Sequence, residues 1–269
     1  MSAIALSIAG SDSGGGAGIQ ADLKAMSALG VYGATVITAI TAQNTKAVTA
    51  VQGIDPEVIA AQIDAVLSDL NVKAIKIGML STPKIIATVA KGLNKYAGPI
   101  VLDPVMISKS GDSLLQDEAI SALISDLLPM ASVLTPNLPE AARLLDTSEA
   151  TSHDEMKAQG KALLALGPNA VLMKGGHAKG DFCEDLFIRA EHPPVTLSAP
   201  RIATQNTHGT GCTLSSSIAA ELAKGKDLRT AIAIAHGYLQ AAIQAADTLQ
   251  VGMGHGPVHH FHAHWPPHG

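Results

Sequence analysis

Between Asn206 and Gly225 the chain reads NTHGTGCTLSSSIAAELAKG, a glycine turn that runs straight into a helix pattern and carries Cys212 at the junction. Gly209 and Gly211 allow positive φ and a close backbone approach, while the first amides of the helix, Thr210 among them, have no partner within it. Such a turn is an anion hole, suited to phosphate. A thiol there sits at the positive end of the helix dipole, which predicts a stabilised thiolate and a role for Cys212 as base, nucleophile or polarising group. The competing reading is a small apolar residue filling a helix start.

Three further segments carry polar residues where strands should end. PIVLDPVM ends on Asp103, ASVLTPNLPEA supplies Thr135, Asn137 and Glu140, and AVLMKGGH places Lys174 before two glycines. Two acids, a lysine and a helix N-terminus on one rim suit a polyphosphate with a divalent metal, since Mg²⁺ prefers oxygen ligands and keeps several waters. Each member also has an ordinary explanation. Asp103 can be a turn residue, Lys174 a surface residue, and Asn137 with Glu140 a capping arrangement for a helix starting near Leu138.

A second glycine cluster, AGSDSGGGAGIQADLKAMSALG, matches neither GxGxxG in the required spacing nor GxxxxGK[ST]. Its glycines leave room for a flat ligand, with Asp12 and Asp22 able to bond a ring's polar edge, or with Asp12 as an ordinary turn residue. TAITAQNT then brings Gln43 and Asn44, amides that both donate and accept, as heteroaromatic nitrogens require.

To bring these groups together, short aliphatic runs must alternate with longer helical patterns, the mark of a parallel sheet covered on both faces. Strands are expected at Ala3–Ile8, Ala34–Thr41, Val72–Ile77, Pro99–Asp103, Ser132–Thr135 and Ala170–Lys174. Asp185–Arg189 and Val195–Ala199 read as an antiparallel edge. Helices are expected at Ile19–Leu29, Pro56–Asp69, Pro83–Leu93, Leu114–Leu128, Leu138–Leu145, Thr151–Leu166, Thr213–Lys224 and Leu228–Ala246. In such a sheet the loops leaving the carboxyl ends of the strands form the binding crevice.

The 269 residues are 47% hydrophobic and 15% charged, enough for one large α/β domain over residues 1–269. A net charge of −5 without a basic run gives no footprint for nucleic acid or an anionic membrane. No apolar stretch reaches the roughly 20 residues of a membrane helix, and Cys183 and Cys212 have no CxxC spacing, so a reducing cytoplasm is expected. His255, His259, His260, His262 and His264 crowd one segment, yet HHFH has no fixed ligand geometry.

Seven segments in order, AGSDSGGGAGIQADLK, TAITAQNT, IKIGML, VLDPVM, LTPNLPEA, LMKGGH and NTHGTGCTLSSSIAAELAKG, resemble the hydroxymethylpyrimidine/phosphomethylpyrimidine kinases of thiamine biosynthesis. The resemblance implies a three-layer α/β/α ribokinase-like domain with a mostly parallel sheet, ATP and Mg²⁺ as cofactors, and a homodimer. It implies phosphorylation of 4-amino-5-hydroxymethyl-2-methylpyrimidine and then of its monophosphate. Gly10, Asp22 and Gln43 would contact the pyrimidine, with Met79 and Val105 bordering it. Asp103 and Glu140 would lie near Mg²⁺, with Asp103, Asn137 and Lys174 on the nucleotide side and Lys174 near the ATP phosphates. Gly209, Thr210, Gly211 and Cys212 would form the anion hole, with Cys212 standing where many ribokinase-like kinases carry an aspartate base. The nearest rivals are a pyridoxal or dual-specificity kinase and a non-catalytic pyrimidine-binding protein.

Overall fold

The computed structural model describes residues 2–106, 115–176 and 180–265. Its strands are β1 (Ile4–Asp12), β2 (Tyr32–Gln43), β3 (Val48–Gly53), β4 (Ala74–Ile77), β5 (Ile100–Leu102), β6 (Val133–Leu134), β7 (Ala170–Met173), β8 (Phe182–Arg189) and β9 (Val195–Pro200). The helices are α1 (Gly18–Ala28), α2 (Pro56–Asp69), α3 (Pro83–Gly92), α4 (Asp117–Ala122), α5 (Leu138–Leu145), α6 (His153–Leu164), α7 (Thr210–Ala223) and α8 (Leu228–Gln244).

The strands form one sheet in the order β3-β2-β1-β4-β5-β6-β7-β8-β9. Pairing is parallel from β2 through β7, while β3, β8 and β9 join antiparallel at the two edges. After β1 the chain first builds outward to β2, then returns to lay β4 on the other side of β1. That reversal opens a crevice beyond the carboxyl ends of β1 and β4.

Alternation of side chains along the strands builds two cores. Leu6, Ile8, Ile75, Ile77, Leu102, Leu134 and Val171 pack under α2 to α6, and Ala5, Ala74, Val101, Val133, Ala170 and Leu172 under α1, α7 and α8. Small residues on the second face let α7 approach closely, through buried Ala219, Ala220 and Ala223. The same alternation aims Ser7, Lys76, Asp103, Thr135 and Lys174 at the α1 and α7 side. Apolar patterning thus gathers the polar groups.

Helix starts follow their caps. Thr82 Oγ1 accepts from the Ile85 amide, while Asp55 makes no side-chain cap and leaves Pro56 to set the first turn of α2. Several expected boundaries shift. β1 runs on to Asp12 through a bulge between Ala9 and Ser11, and β2 extends to Gln43. α7 begins at Thr210 rather than Thr213 because Gly209 already turns the chain. The expected helix 114–128 begins outside the described residues, and α4 continues through a π-helical turn at Leu123–Leu127 into a 3-10 turn at Leu128–Met130. β3 has no counterpart among the expected strands, since it is largely solvent-exposed and has no buried face to impose alternation. No helix among the described residues is long and apolar enough to cross a membrane.

Candidate active site

A cavity of about 370 Å³ opens at the crevice beside β1 and β4. Gly10, Gln43, Met79 and Val105 line it together with Asp103, Asn137, Glu140, Lys174 and the turn Gly209–Cys212. The sheet therefore brings together nearly all the site residues expected from sequence.

The turn is built for closeness. Gly209 has φ +80, and a Cβ added there would lie 1.9 Å from the Gly16 carbonyl oxygen. No side chain caps α7, so its first amides face the cavity with the positive end of the dipole. A Cβ on Gly211 would come within 3.3 Å of Lys174 Nζ and 3.5 Å of Asp103 Oδ2. The charged groups thus stand directly over the turn.

Asp103 is buried at the end of β5, accepting from Lys174 Nζ at 2.9 Å, Thr135 Oγ1 at 3.2 Å and Ser215 Oγ at 3.2 Å. Burial would raise its carboxyl, but Lys174 and Lys76 hold it below the ordinary carboxylate range. Burial would lower the Lys174 ammonium, which Asp103 and Glu140 instead raise. Glu140 Oε2 lies 4.0 Å from the same ammonium. Chiefly through burial, and with Asp103 adding to it against Lys174, Glu140 is pushed up to about 7. Asn137 and Glu140 do form the capping box that starts α5, each bonding the other's backbone N–H at 2.8 Å. The cap and the cavity wall are the same two side chains.

Cys212 corrects an expectation. Burial raises its thiol to about 11, helped by Asp22 and Asp103 and opposed by Lys76 and the Gly18 amide. The helix terminus does not outweigh burial among carboxylates, and the site holds a thiol at neutral pH rather than a thiolate.

Asp22 corrects another. It does not line the cavity; it is fully buried on α1, accepts from Ser7, and receives Lys76 Nζ at 2.8 and 2.9 Å. Burial raises its carboxyl against Lys76 and Ser7, while Asp22 more than offsets the burial that would lower Lys76. With two short contacts the pair is ionic. Lys76 reaches the cavity in Asp22's place. Asp12, open to two readings from sequence, organises the glycine loop: it accepts from the amides of Gly14, Gly16 and Ala17 and pairs with His208 at 2.9 Å.

Sequence reasoning passed over Lys76, although a lysine inside the apolar run AIKI signals a buried counter-charge. Arg143 on α5 also lines the cavity and had no sequence signal beyond its charge.

Among the described residues no three His, Cys, Asp or Glu side chains gather as a metal site. The crowded histidines take separate partners: His260 bonds Thr213, His255 the Gln205 carbonyl and His264 the Ala28 carbonyl.

Comparison with known proteins agrees with this geometry. The family model described as phosphomethylpyrimidine kinase matches residues 12–259. The hydroxymethylpyrimidine/phosphomethylpyrimidine kinase of Rhizobium meliloti is 58% identical over 98% of this chain and 99% of its own. That of Escherichia coli is 52% identical over 97% and 98%. Among solved structures, Bacillus subtilis pyridoxal kinase in complex with ADP superposes with a TM-score of 0.89 at 38% identity, covering 97% of this chain and 98% of that one. Phosphomethylpyrimidine kinase from Clostridium difficile gives 0.78 at 46% identity, over 89% and 99%. By motif order, fold and near-complete coverage, the chain belongs to the hydroxymethylpyrimidine/phosphomethylpyrimidine kinase family of phosphotransferases, on the ribokinase-like fold.

Proposed function

We propose that the protein transfers the γ-phosphoryl group of ATP to the hydroxymethyl oxygen of 4-amino-5-hydroxymethyl-2-methylpyrimidine, and a second one to the resulting monophosphate, in the cytoplasm. One observation carries the reading: a single cavity is lined both by Gly10, Gln43 and Met79 and by the Gly209–Cys212 turn with Lys174 beside it. A flat alcohol at one end and a phosphate chain at the other would meet in between.

The amides of Gly211 and Cys212 hold the migrating group and are aligned before it arrives, which is the larger part of catalysis in phosphoryl transfer. Lys174 adds a fixed positive charge. Gly10 keeps the floor open, because a Cβ there would lie 2.5 Å from Met79 Cε. Cys212 enters as a thiol that orients the hydroxymethyl oxygen; only the fraction that has already released its proton to solvent accepts the hydroxyl proton, with Lys76 and the Gly18 amide stabilising that thiolate.

Mg²⁺ fits this site as a companion of the phosphates rather than as a resident ion. Glu140 and Asp103 line the cavity, and one or two carboxylates suffice when phosphate oxygens and water complete the shell. Such an ion would neutralise phosphate charge beyond what Lys174 covers.

Pyridoxal is the competing acceptor, because pyridoxal kinases superpose as closely as any kinase compared. Incubation with each acceptor and MgATP, followed by mass analysis, tests the assignment. Successive gains of one and two phosphoryl groups on the pyrimidine are expected; turnover of pyridoxal alone would overturn it.

A further inference from the structure

The contacts of Gln43 determine which way its amide faces. His208 Nε2 lies 2.9 Å from Asp12 Oδ2 and 3.3 Å from Gln43 Nε2. Asp12 accepts three backbone N–H bonds and is held below the ordinary carboxylate range by His208 and those amides, against its burial. It has no proton to give, so His208 Nε2 is the donor. A second donor facing that nitrogen makes no bond.

The opposite end of the amide agrees. Thr41 Oγ1 is 2.9 Å from the Ser11 carbonyl oxygen, which only accepts, so the hydroxyl proton is committed there. Gln43 Oε1, 3.1 Å from the same hydroxyl, then faces lone pairs. The two ends of an amide have the same shape and are told apart by their partners. Turned over, Gln43 Nε2 donates to the Thr41 lone pairs, and Gln43 Oε1 faces the single His208 Nε2–H as the weaker, longer arm of a bond shared with Asp12; no donor then faces a donor and no acceptor an acceptor. The backbone of Gln43 does not move in this turn, because Ser13 Oγ bonds both its N–H and its C=O.

We infer that the Asp12–His208 pair is a specificity device that fixes the polarity of the Gln43 amide, and hence the order of donor and acceptor shown to the acceptor ring. One N–H and one carbonyl lone pair of Gln43 remain for the cavity. Together they complement a ring nitrogen flanked by an amino group. A pyridine ring without that amino group satisfies only half. His208 acts here as a positioning residue, and the inference rests on the aminopyrimidine reading of the site.

The test is a selectivity ratio in kcat/KM between 4-amino-5-hydroxymethyl-2-methylpyrimidine and its desamino analogue, for the wild type, His208→Leu and His208→Gln. Loss of the buried donor is expected to lower the ratio by about tenfold in His208→Leu. His208→Gln, whose terminal amide can serve Asp12 and Gln43 together, is expected to stay within about threefold of the wild type. General damage lowers both rates and leaves their ratio unmoved. An unchanged ratio in His208→Leu overturns the inference. Nitrogen NMR of labelled wild-type protein gives an independent readout should the leucine variant not fold: a protonated Nε2 on His208 is expected, and a bare one overturns the assignment. That spectrum needs no substrate, so failure of the wild type to phosphorylate either pyrimidine would refute the proposed function while leaving the orientation of Gln43 to stand.

Discussion

Lys76 Nζ lies 2.9 and 2.8 Å from the two carboxylate oxygens of Asp22, and both side chains are sealed from solvent. The pair bridges β4 and α1 beneath the cavity, so a strand lysine is tolerable only because a helix carboxylate meets it. Replacing Lys76 by Met is expected to cost about 3–5 kcal/mol in urea denaturation, because the buried Asp22 loses its counter-charge and keeps only the Ser7 hydroxyl. The double variant Lys76→Met/Asp22→Leu should lose less than the two single losses summed. An unchanged denaturation midpoint for Lys76→Met would contradict the buried ion pair.

Glu140 makes stability depend on pH. Its folded value of about 7 lies above the ordinary 4.5, so the protonated form favours the fold. That contribution is complete below pH 4.5 and is lost as pH rises through about 7. Glu140→Gln should match the wild type well below pH 4.5 and exceed it at pH 8 by up to roughly 3 kcal/mol. Equal stabilities at both pH values would show that Glu140 is not held up by burial.

The Cys212 thiol, raised to about 11, should resist alkylation at neutral pH. Iodoacetamide labelling is expected to accelerate about tenfold per pH unit up to that value. Cys212→Ala should lower kcat by about 10- to 100-fold, within the contribution of a proton acceptor in phosphoryl transfer. Wild-type turnover in the alanine variant would remove the sulfur from the chemistry.

Gly209→Ala must displace a carbonyl that its Cβ would meet at 1.9 Å, in addition to the strain of φ +80. Because the amides of the turn move with it, kcat is expected to fall by about 100-fold or more. Gly237 on α8 is the control, with nothing within 4 Å of an added Cβ. Gly237→Ala should raise stability by roughly 0.5–1 kcal/mol and leave turnover unchanged.

Much of this was legible in the sequence because it depends on local pattern. α2 and α5 occupy the ranges their prolines, caps and apolar spacing indicate, and Asp103, Lys174 and Gly209–Cys212 fall on the rim where strand ends converge. What escaped depends on contacts far along the chain. Lys76 acquires its meaning from Asp22, 54 residues away, and the thiol of Cys212 from carboxylates on other elements. β3 was missed because an exposed edge strand carries no apolar signature. Asp22 is read toward the ligand both from its place after the glycine cluster and from the resemblance, whereas its carboxylate meets Lys76.

The stretch from Gly254 to His260 joins the segment after β2 to the segment before α7: Gly254 and His255 bond Thr45, and Gly256 bonds Asn206 and His208, the last of which lines the cavity. The Gly254 and Thr45 partners stand 209 positions apart, so a ribosome makes one long before the other. An emerging chain can lay down most of its sheet early, yet the bonds that hold Thr45, Asn206 and His208 to this late segment form only when it has cleared the exit tunnel. Translation itself therefore delays the moment at which the molecule first becomes competent.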